Sequence, residues 1–271
     1  MTTRVALVGG TGKLGGIIKD VIDASDGFEV STLLTSRSSL DELDGADLVV
    51  DASTPAVSTD VVRAAVERGI NVLVGTSGWS QERIAQIRQS VDAAGVGVVI
   101  IPNFSLGSVV GTALAAAAAS LFPSIEIVET HRETKVDSPS GTAVRTAELI
   151  AAARADVGPV ESPHADQRAR GQKVASVPIH SLRRPGVIAR QETILSGPGE
   201  ALSIVHDTVE PARAYEPGIR IALDAARTAR GITVGLDSFV DIGIRPRSAR
   251  STAAPGDEGD VPGQVARVTG A

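Results

Sequence analysis

The fold of this chain is decided by the stretch Val5-Ala-Leu-Val-Gly9-Gly-Thr-Gly12-Lys-Leu-Gly15. Its first four residues form a continuous apolar run, which is typical of a parallel strand buried on both faces. Three glycines then stand in a G-x-x-G-x-x-G pattern, and a helix is predicted to follow from Ile17 to Ala24. A strand-to-helix turn without side chains lets backbone N–H groups approach a pyrophosphate. We therefore predict dinucleotide binding here, with a glycine-rich turn that binds nothing as the alternative.

Buried strands and amphipathic helices alternate beyond this turn. The strands are predicted at 28–34, 47–53, 71–75 and 97–102, and the helices at 57–68 and 81–94. This order predicts an α/β fold with a Rossmann-like, doubly wound parallel sheet, in which ligands bind beyond the carboxyl ends of the strands. Polar clusters end three of the strands, although each could also be mere turn chemistry. With the glycine turn they make up the candidate cofactor-binding residues: Gly9, Thr11, Gly12, Lys13, Leu14, Gly15, Ala52, Ser53, Gly75, Thr76, Ser77, Asn103, Phe104 and Ser105.

The end of the second strand bears on the choice of cofactor. NAD-specific sheets of this kind carry an acid there for the ribose 2′-hydroxyl. Here Ser36 and Arg37 follow the strand, and no acid occurs before Asp41. An arginine among hydroxyls suits a 2′-phosphate better, so we predict NADPH or NADH as cofactor, with Ser36 and Arg37 as further candidate contacts. The alternative for Arg37 is a solvated surface side chain.

A second region with a different pattern follows. Three strand-like runs, 177–183, 187–195 and 201–206, are separated by Pro/Gly turns and predict a mixed open sheet. Helices are predicted at 108–121, 143–154 and 219–230, and the polar segment 155–176, with a surface His164, is expected to be a long mobile loop. We predict a dinucleotide-binding domain from 1–125 with 212–244, an α+β substrate-binding and oligomerisation domain from 126–211, and a disordered tail from 245–271.

Composition excludes several classes of protein. The net charge of −6 and the lack of any run of Lys or Arg argue against nucleic-acid binding. The chain contains no Cys, which excludes disulfides and thiolate metal sites and suits a reducing cytoplasm. The longest apolar run, near 109–121, is shorter than the ~20 residues of a membrane span, and the first residues lack a signal-peptide pattern. We therefore expect a cytoplasmic protein with no membrane, nucleic-acid or metal partner.

Candidate chemistry is concentrated in the stretch Glu129-Thr-His131-Arg-Glu-Thr-Lys135-Val-Asp-Ser-Pro-Ser140-Gly-Thr-Ala143. It offers an imidazole at His131 and an ammonium at Lys135. Ser140 is a good N-cap for the following helix, which leaves the next N–H groups available to a carboxylate or phosphate. An enzyme that acts on a small carboxylated substrate needs these groups together. The alternative for His131 is a structural histidine at the end of a strand.

The same stretch resembles the signature of the 4-hydroxy-tetrahydrodipicolinate reductase family, the nicotinamide-dependent reductases of the diaminopimelate route to lysine. The family usually reads Glu-x-His-His-x-x-Lys-x-Asp-Ala-Pro-Ser-Gly-Thr-Ala, and the resemblance covers residues 4–244. The clusters at 75–77 and 103–105 are similar to family segments that flank the nicotinamide. The resemblance implies hydride transfer to a cyclic, dicarboxylated imine, and a homotetramer assembled through the second sheet.

The resemblance also implies a role for each group in this stretch. His131 would donate a proton as hydride addition builds negative charge, since an unperturbed histidine titrates near pH ~6.5. Lys135 would stabilise that charge or bind a carboxylate. The implied catalytic residues are therefore His131 and Lys135, and the implied substrate-binding residues are Arg132, Ser140, Gly141 and Thr142.

Arg132 is the main departure from the family signature, because it stands where the family has its second histidine. Arginine can pair with a carboxylate through two hydrogen bonds, but it cannot act as an acid or base near neutral pH. One alternative is therefore a paralogue that reduces a different carboxylated cyclic imine or enamine. A non-catalytic nucleotide-binding protein is less consistent with the presence of both His131 and Lys135.

Overall fold

The computed structural model describes residues 1–164 and 166–243, and the first of its two sheets is fully parallel. Numbered along the chain, its strands are β1 (Thr3–Val8), β2 (Phe28–Leu34), β3 (Leu48–Asp51), β4 (Asn71–Val74), β5 (Gly97–Ile100) and β11 (Gly231–Val234). They pair in the order β11-β5-β4-β3-β1-β2. β2 lies on one side of β1 and β3 on the other, so the winding reverses at β1. Ligands of such sheets bind at this reversal.

Helices cover both faces of this sheet. They are α1 (Lys13–Asp23), α2 (Ser58–Glu67), α3 (Gln81–Ala94) and α6 (Pro211–Thr228). α2 and α3 pack on one face over buried Val49, Val72 and Val98. α1 and α6 pack on the other face over Leu48 and Leu73. The strands therefore lie between two apolar layers, which is the reason for their uninterrupted apolar sequences.

The second sheet is mixed and open. Its strands are β6 (Ser124–His131), β7 (Gln172–Val174), β8 (Val177–Arg183), β9 (Ala189–Gly197) and β10 (Glu200–Thr208), in the order β10-β9-β6-β8-β7. Only β6 and β8 pair in parallel. Two helices, α4 (Leu106–Ala118) and α5 (Gly141–Ala153), pack on this sheet, and Ile125, Ile127 and Leu195 are buried in the core between them. The predicted fold class is confirmed.

The predicted start of α6 was wrong. It was predicted at residue 219, but the helix begins at Pro211 and continues through Pro217. Gly218 lies against the main chain, since a Cβ there would come within 2.0 Å of the carbonyl oxygen of Phe104. The apolar side of α6 is buried in the core of the first sheet, and this tertiary packing outweighs the low helix propensity of proline and glycine.

Smaller differences lie at other element boundaries. α1 and α4 begin four and two residues earlier than predicted, because their caps are Gly12 and Ser105. α5 begins at Gly141, directly after the N-cap predicted at Ser140. The predicted loop 155–176 contains β7, and β11 was not predicted. α6 and β11 lie with the first sheet, which supports the predicted return of the chain at 212, whereas α4 packs on the second sheet although it was predicted in the first domain. The division itself stays a prediction. The expected disordered tail, 245–271, lies outside the described residues. No helix in the described ranges is long and apolar enough to cross a bilayer.

Candidate active site

In the glycine turn, the packing of the backbone leaves no room for a side chain at Gly9 or at Gly15, but it does not exclude one at Gly12 in the same way. Gly9 has φ of +81°, and a Cβ there would lie 2.5 Å from the carbonyl oxygen of Ala52. A Cβ at Gly15 would lie 2.2 Å from the carbonyl oxygen of Gly9. At Gly12, by contrast, a Cβ would meet only that oxygen, at 3.3 Å. Gly12 begins α1 without a side-chain cap and faces a cavity, so the helix N-terminus is open to an anion.

The cavity has a volume of about 860 Å³ and lies between the carboxyl ends of the first sheet and the second sheet. It brings together residues that the sequence predicted separately as cofactor contacts and as substrate contacts. Those that line it are Gly12, Lys13, Leu14, Ala52, Ser53, Gly75, Thr76, Ser77, Asn103, Phe104, His131, Arg132, Lys135 and Thr142. Residues that the sequence did not single out also line it, among them Gln191, His206 and Tyr215.

The other predicted site residues do not line this cavity. Gly9 and Thr11 lie in the glycine turn, Gly15 lies in the first turn of α1, and Ser105 and Ser140 are buried N-caps of α4 and α5. Gly141 lines a neighbouring groove of about 720 Å³ between α4 and α5. Ser36 and Arg37 are exposed beyond β2, outside the residues that form the cavity wall.

A buried carboxylate joins two of the polar clusters. Asp51, at the end of β3, is fully buried and accepts hydrogen bonds from the backbone N–H of Ser53, at 3.0 Å, and from the hydroxyl of Ser58. The hydroxyl of Thr76 donates to the backbone oxygen of Asp51 at 3.3 Å. Asp51 therefore sets the shape of the cavity wall after β3 and β4.

His131 is oriented by a second buried carboxylate, Glu129. The two residues are two positions apart at the end of β6, so their side chains lie on the same side of the strand. Nδ1 of His131 lies 2.5 Å from Oε2 of Glu129. Burial alone would raise the pKa of Glu129, but hydrogen bonds from His131, Arg183 and Ser181 outweigh it and lower the pKa to about 2. The carboxylate is ionised at neutral pH, which keeps a proton on Nδ1 and leaves Nε2 available to the cavity.

Arg183 fixes the loop that carries Lys135. From β8 it donates two hydrogen bonds to Glu129, at 2.9 and 3.1 Å. It also donates to the backbone oxygens of Lys135, at 3.2 Å, and Asp137, at 2.6 Å. β8 pairs in parallel with β6, and this register brings Arg183 opposite His131. The sequence analysis missed Arg183, because a residue 54 positions from its partner leaves no local signal.

Two hydrogen bonds of Ser140 fix the beginning of α5, one to the helix itself and one to β6. Ser140 accepts a hydrogen bond from the backbone N–H of Ala143, as an N-cap does, and its own N–H donates to Glu129 at 3.2 Å. Thr142 lies at the cavity wall, 3.4 Å from the side-chain amide of Asn103. Glu129 therefore positions both the imidazole and the helix N-terminus expected to bind a carboxylate.

Three further charged or polar groups line the cavity beside the imidazole. The ammonium of Lys135 donates to both oxygens of Asp137, at 2.7 and 2.9 Å. Arg132 is exposed and forms no ion pair with a carboxylate of the described residues. Burial raises the pKa of the nearby Tyr215 hydroxyl, and the charge of Arg132 acts in the opposite direction. The cavity thus combines a positively charged rim with an oriented imidazole, an arrangement suited to a carboxylated substrate.

The amino-acid sequence matches two consecutive models of one protein family. "Dihydrodipicolinate reductase, N-terminus" matches residues 3–104, and "Dihydrodipicolinate reductase, C-terminus" matches residues 107–240. The chain belongs to the dihydrodipicolinate reductase family. The family predicted from the signature at 129–143 is therefore confirmed, together with the predicted activity class, a nicotinamide-dependent oxidoreductase.

Individual relatives agree with this membership. A 4-hydroxy-tetrahydrodipicolinate reductase of Clavibacter sepedonicus is 53% identical over 278 residues that cover both chains completely. A reductase of the same name from Streptomyces griseus is 41% identical and covers 88% of this chain and 98% of its own length. Among solved structures, a dipicolinate-bound dihydrodipicolinate reductase from Paenisporosarcina sp. TG-14 has a TM-score of 0.74 and 25% identity, and the match covers 89% of this chain and all of that one.

Proposed function

We propose that this chain reduces 4-hydroxy-tetrahydrodipicolinate to tetrahydrodipicolinate with NADPH or NADH, in the diaminopimelate route to lysine. The observation that carries this proposal is the pair His131–Glu129 in one cavity with Lys135, Thr142 and the open start of α1. The dicarboxylate bound to the relative from Paenisporosarcina supports a substrate of this class. We further propose a cytoplasmic location, which the absence of cysteine supports.

The nucleotide would be held by the first sheet. The open space before Gly12 fits a phosphate, since no other part of the described chain fills it and the first N–H groups of α1 face it. The backbone around Thr76 and Asn103 would hold the nicotinamide end. When bound, the reduced nicotinamide supplies the hydride. The chain itself must then orient the substrate and deliver a proton.

The second sheet would bind and protonate the substrate. The N–H groups of Gly141 and Thr142, with the hydroxyl of Thr142, would bind one carboxylate, and Arg132 the other. His131 would donate its Nε2 proton as negative charge develops on the substrate. Its Nδ1–H stays bonded to the ionised Glu129, which holds the ring in place during the transfer. Lys135 would stabilise the same developing charge.

The proposal is tested by oxidation of NADPH and of NADH with freshly made 4-hydroxy-tetrahydrodipicolinate. We expect saturable turnover with either nucleotide, and inhibition by dipicolinate that competes with the imine. Turnover of other carboxylated cyclic imines or enamines serves as the comparison. A higher kcat/KM for one of those would favour the paralogue, and tight nucleotide binding without any turnover would favour the non-catalytic alternative.

Arg132→Ala should mainly raise KM for the imine, by about 10-fold, while kcat changes less than about 3-fold. A hydrogen bond to a charged group contributes about 1.5–3 kcal/mol, and the exposure of Arg132 places the effect at the lower end. Initial rates over a range of imine concentrations measure both constants. Arg88→Ala, on the exposed side of α3, is the matched control.

Arg132→His restores the residue usual in the family, and it separates the two enzymatic alternatives. If kcat/KM for the lysine-pathway imine stays equal or falls, arginine is an accepted substitute at this position. A rise of several-fold would mean that the chain has adapted to another imine.

Arg37→Asp should raise the Kd of NADPH about 10-fold more than the Kd of NADH, if Arg37 pairs with the 2′-phosphate. Arg37 lies at the end of β2, exposed and beyond the cavity wall, so a bound nucleotide would have to extend to it along the surface. Dissociation constants of both nucleotides from titration calorimetry give the ratio. Arg88→Asp controls for the change in net charge, and equal losses for both nucleotides would remove Arg37 from the site.

We also propose a homotetramer, in which the open face of the second sheet is the contact surface. α4 and α5 both pack on the face that carries Ile127 and Ile204. The opposite face presents Val128, Ile194 and the partly exposed Val205. Sedimentation at micromolar concentration should give four times the chain mass of 27.7 kDa. Val128→Arg should dissociate the assembly, whereas a wild-type monomer would contradict the proposal.

A further inference from the structure

His206 joins the second sheet to a loop of the first at the edge of the cavity. It lies on β10, and its Nε2 is 3.2 Å from the hydroxyl oxygen of Ser105, although the two residues are 101 positions apart. Its ring also lies against the first turn of α4, because a Cβ on Gly107 would come within 2.7 Å of Cδ2. His206 lines the cavity, but the roles assigned above do not use it.

The surroundings of the ring favour one direction for the hydrogen bond between Ser105 and His206. The hydroxyl oxygen of Ser105 already accepts from the backbone N–H of Ser108, at 3.3 Å. A neutral His206 that carries its ring proton on Nδ1 would accept the hydroxyl hydrogen of Ser105 at Nε2. Burial lowers the pKa of His206, with the charge of Asp207 acting in the opposite direction. The N-terminus of α4, against which the ring packs, also disfavours a cationic ring. His206 is thus a neutral acceptor.

The side chain of Asn103 also holds the loop that His206 contacts. Within the loop, the side-chain oxygen of Asn103 accepts from the backbone N–H of Ser105 at 2.9 Å. The side-chain amide of Asn103 donates to the hydroxyl of Ser108 at 2.9 Å and to that of Thr142 at 3.4 Å. Two contacts of this loop come from the second half of the fold: His206 lies on β10 of the second sheet, and Thr142 lies on α5, which packs on that sheet. The loop 103–105 therefore depends on the second sheet for its position.

We propose that His206 is a positioning residue, which acts through Ser105 to hold the loop 103–105 in the shape that binds the nicotinamide end of the nucleotide. The proposal rests on the proposed function, in that it assigns this loop to the nucleotide. Its role is distinct from proton transfer: His206 accepts a hydrogen bond from the chain itself, and its removal acts on the affinity of the nucleotide.

His206→Ala is the first test. We expect KM and the directly measured Kd of NADPH to rise about 3–10-fold, the range for one lost neutral hydrogen bond, while kcat falls less than about 3-fold. Calorimetry without substrate gives Kd, so the result does not depend on turnover of any particular imine. Amide hydrogen exchange of the nucleotide-free protein should show faster exchange at 105–108. His206→Gln can still accept the hydrogen bond through its side-chain oxygen and should restore most of the affinity.

Three further variants separate positioning from a loss of stability. His180→Ala removes another histidine of the second sheet, one bonded to Glu126 at 2.7 Å, and should leave the Kd of NADPH unchanged. Gly107→Ala should raise helix propensity yet push the ring of His206 away, so Kd should rise without any loss of thermal stability. In the Ser105→Ala background, the change from His206 to Ala should raise Kd little further, because both substitutions remove the same hydrogen bond.

Two results would overturn the inference. One is an unchanged Kd in His206→Ala together with a lower melting temperature, which would make the residue merely structural. The other is full additivity of the Ser105 and His206 changes. If the chain failed to reduce the lysine-pathway imine but His206→Ala still raised Kd and hydrogen exchange, the proposed function would fall and this inference would stand.

Discussion

Replacing His131 with alanine is expected to lower kcat by about 10²–10⁴-fold, the usual contribution of a positioned proton donor. KM for the imine should change much less, because its carboxylates are assigned to Arg132 and to the start of α5. The nucleotide Kd should stay the same, since the glycine turn is not touched. Steady-state rates with NADPH and calorimetric nucleotide binding measure these quantities separately.

A closely matched control exists in the same sheet. His180 on β8 also lies beside a carboxylate, Glu126, at 2.7 Å, but it does not line the cavity. His180 lies beside Val128 on the face proposed as the contact surface, so sedimentation must first show that the assembly of His180→Ala is unchanged. The variant should then keep kcat near that of the wild type. Full activity in His131→Ala would remove the proton-donor assignment, and an equal loss in both variants would point to a general effect on the fold.

Arg183→Ala is expected to lower the free energy of unfolding by about 3–5 kcal/mol, because it leaves the buried carboxylate of Glu129 without its main charged partner. The fully buried side chain of Glu129 cannot turn to water. The loop at Lys135 and Asp137 would also lose two hydrogen bonds, so activity should fall even where the protein stays folded. Urea unfolding at neutral pH measures the first effect. Arg4→Ala breaks an exposed pair with Asp47 and should change stability little.

The acid dependence of stability has a definite direction. The pKa of Glu129 is lowered from its ordinary value of 4.5 to about 2 in the folded protein. Its contribution is therefore complete above pH 4.5 and is lost as the pH falls towards 2, because the unfolded chain binds the proton first. At about 1.36 kcal/mol per pKa unit, the loss is of order 3 kcal/mol. Glu129→Gln should be less stable at neutral pH and show a flatter profile in this window. An unchanged profile would exclude Glu129 as its source.

Local patterns in the sequence were enough to predict the architecture of the fold. The apolar run at Val5 and the glycines after it predicted a parallel strand, a tight turn and a helix, and the structure contains all three. The signature at 129–143 predicted the family. These features depend on residues within a few positions of each other, so their periodicity and turn residues can be identified from the sequence alone.

Local rules failed where packing had the larger effect. The last helix was predicted to begin at Ile219, after Pro217, yet α6 begins at Pro211 and runs through Pro217 because one side of that helix covers the first sheet. In the same way the four residues of β11 gain a strand conformation from parallel pairing with β5. Neither outcome can be inferred from propensity, since the stabilising partner is far away in the chain.

The sequence by itself determined the fold class, the family and the chemical groups of the site. Only the tertiary structure decided how these groups are held. The register of β8 on β6 brings Arg183 to Glu129, and the packing of α4 on β10 brings His206 to Ser105. The physical reason is that a strand pattern specifies which face is buried but leaves open which strand pairs with it and in what register. Those choices are made by the summed packing of the whole core.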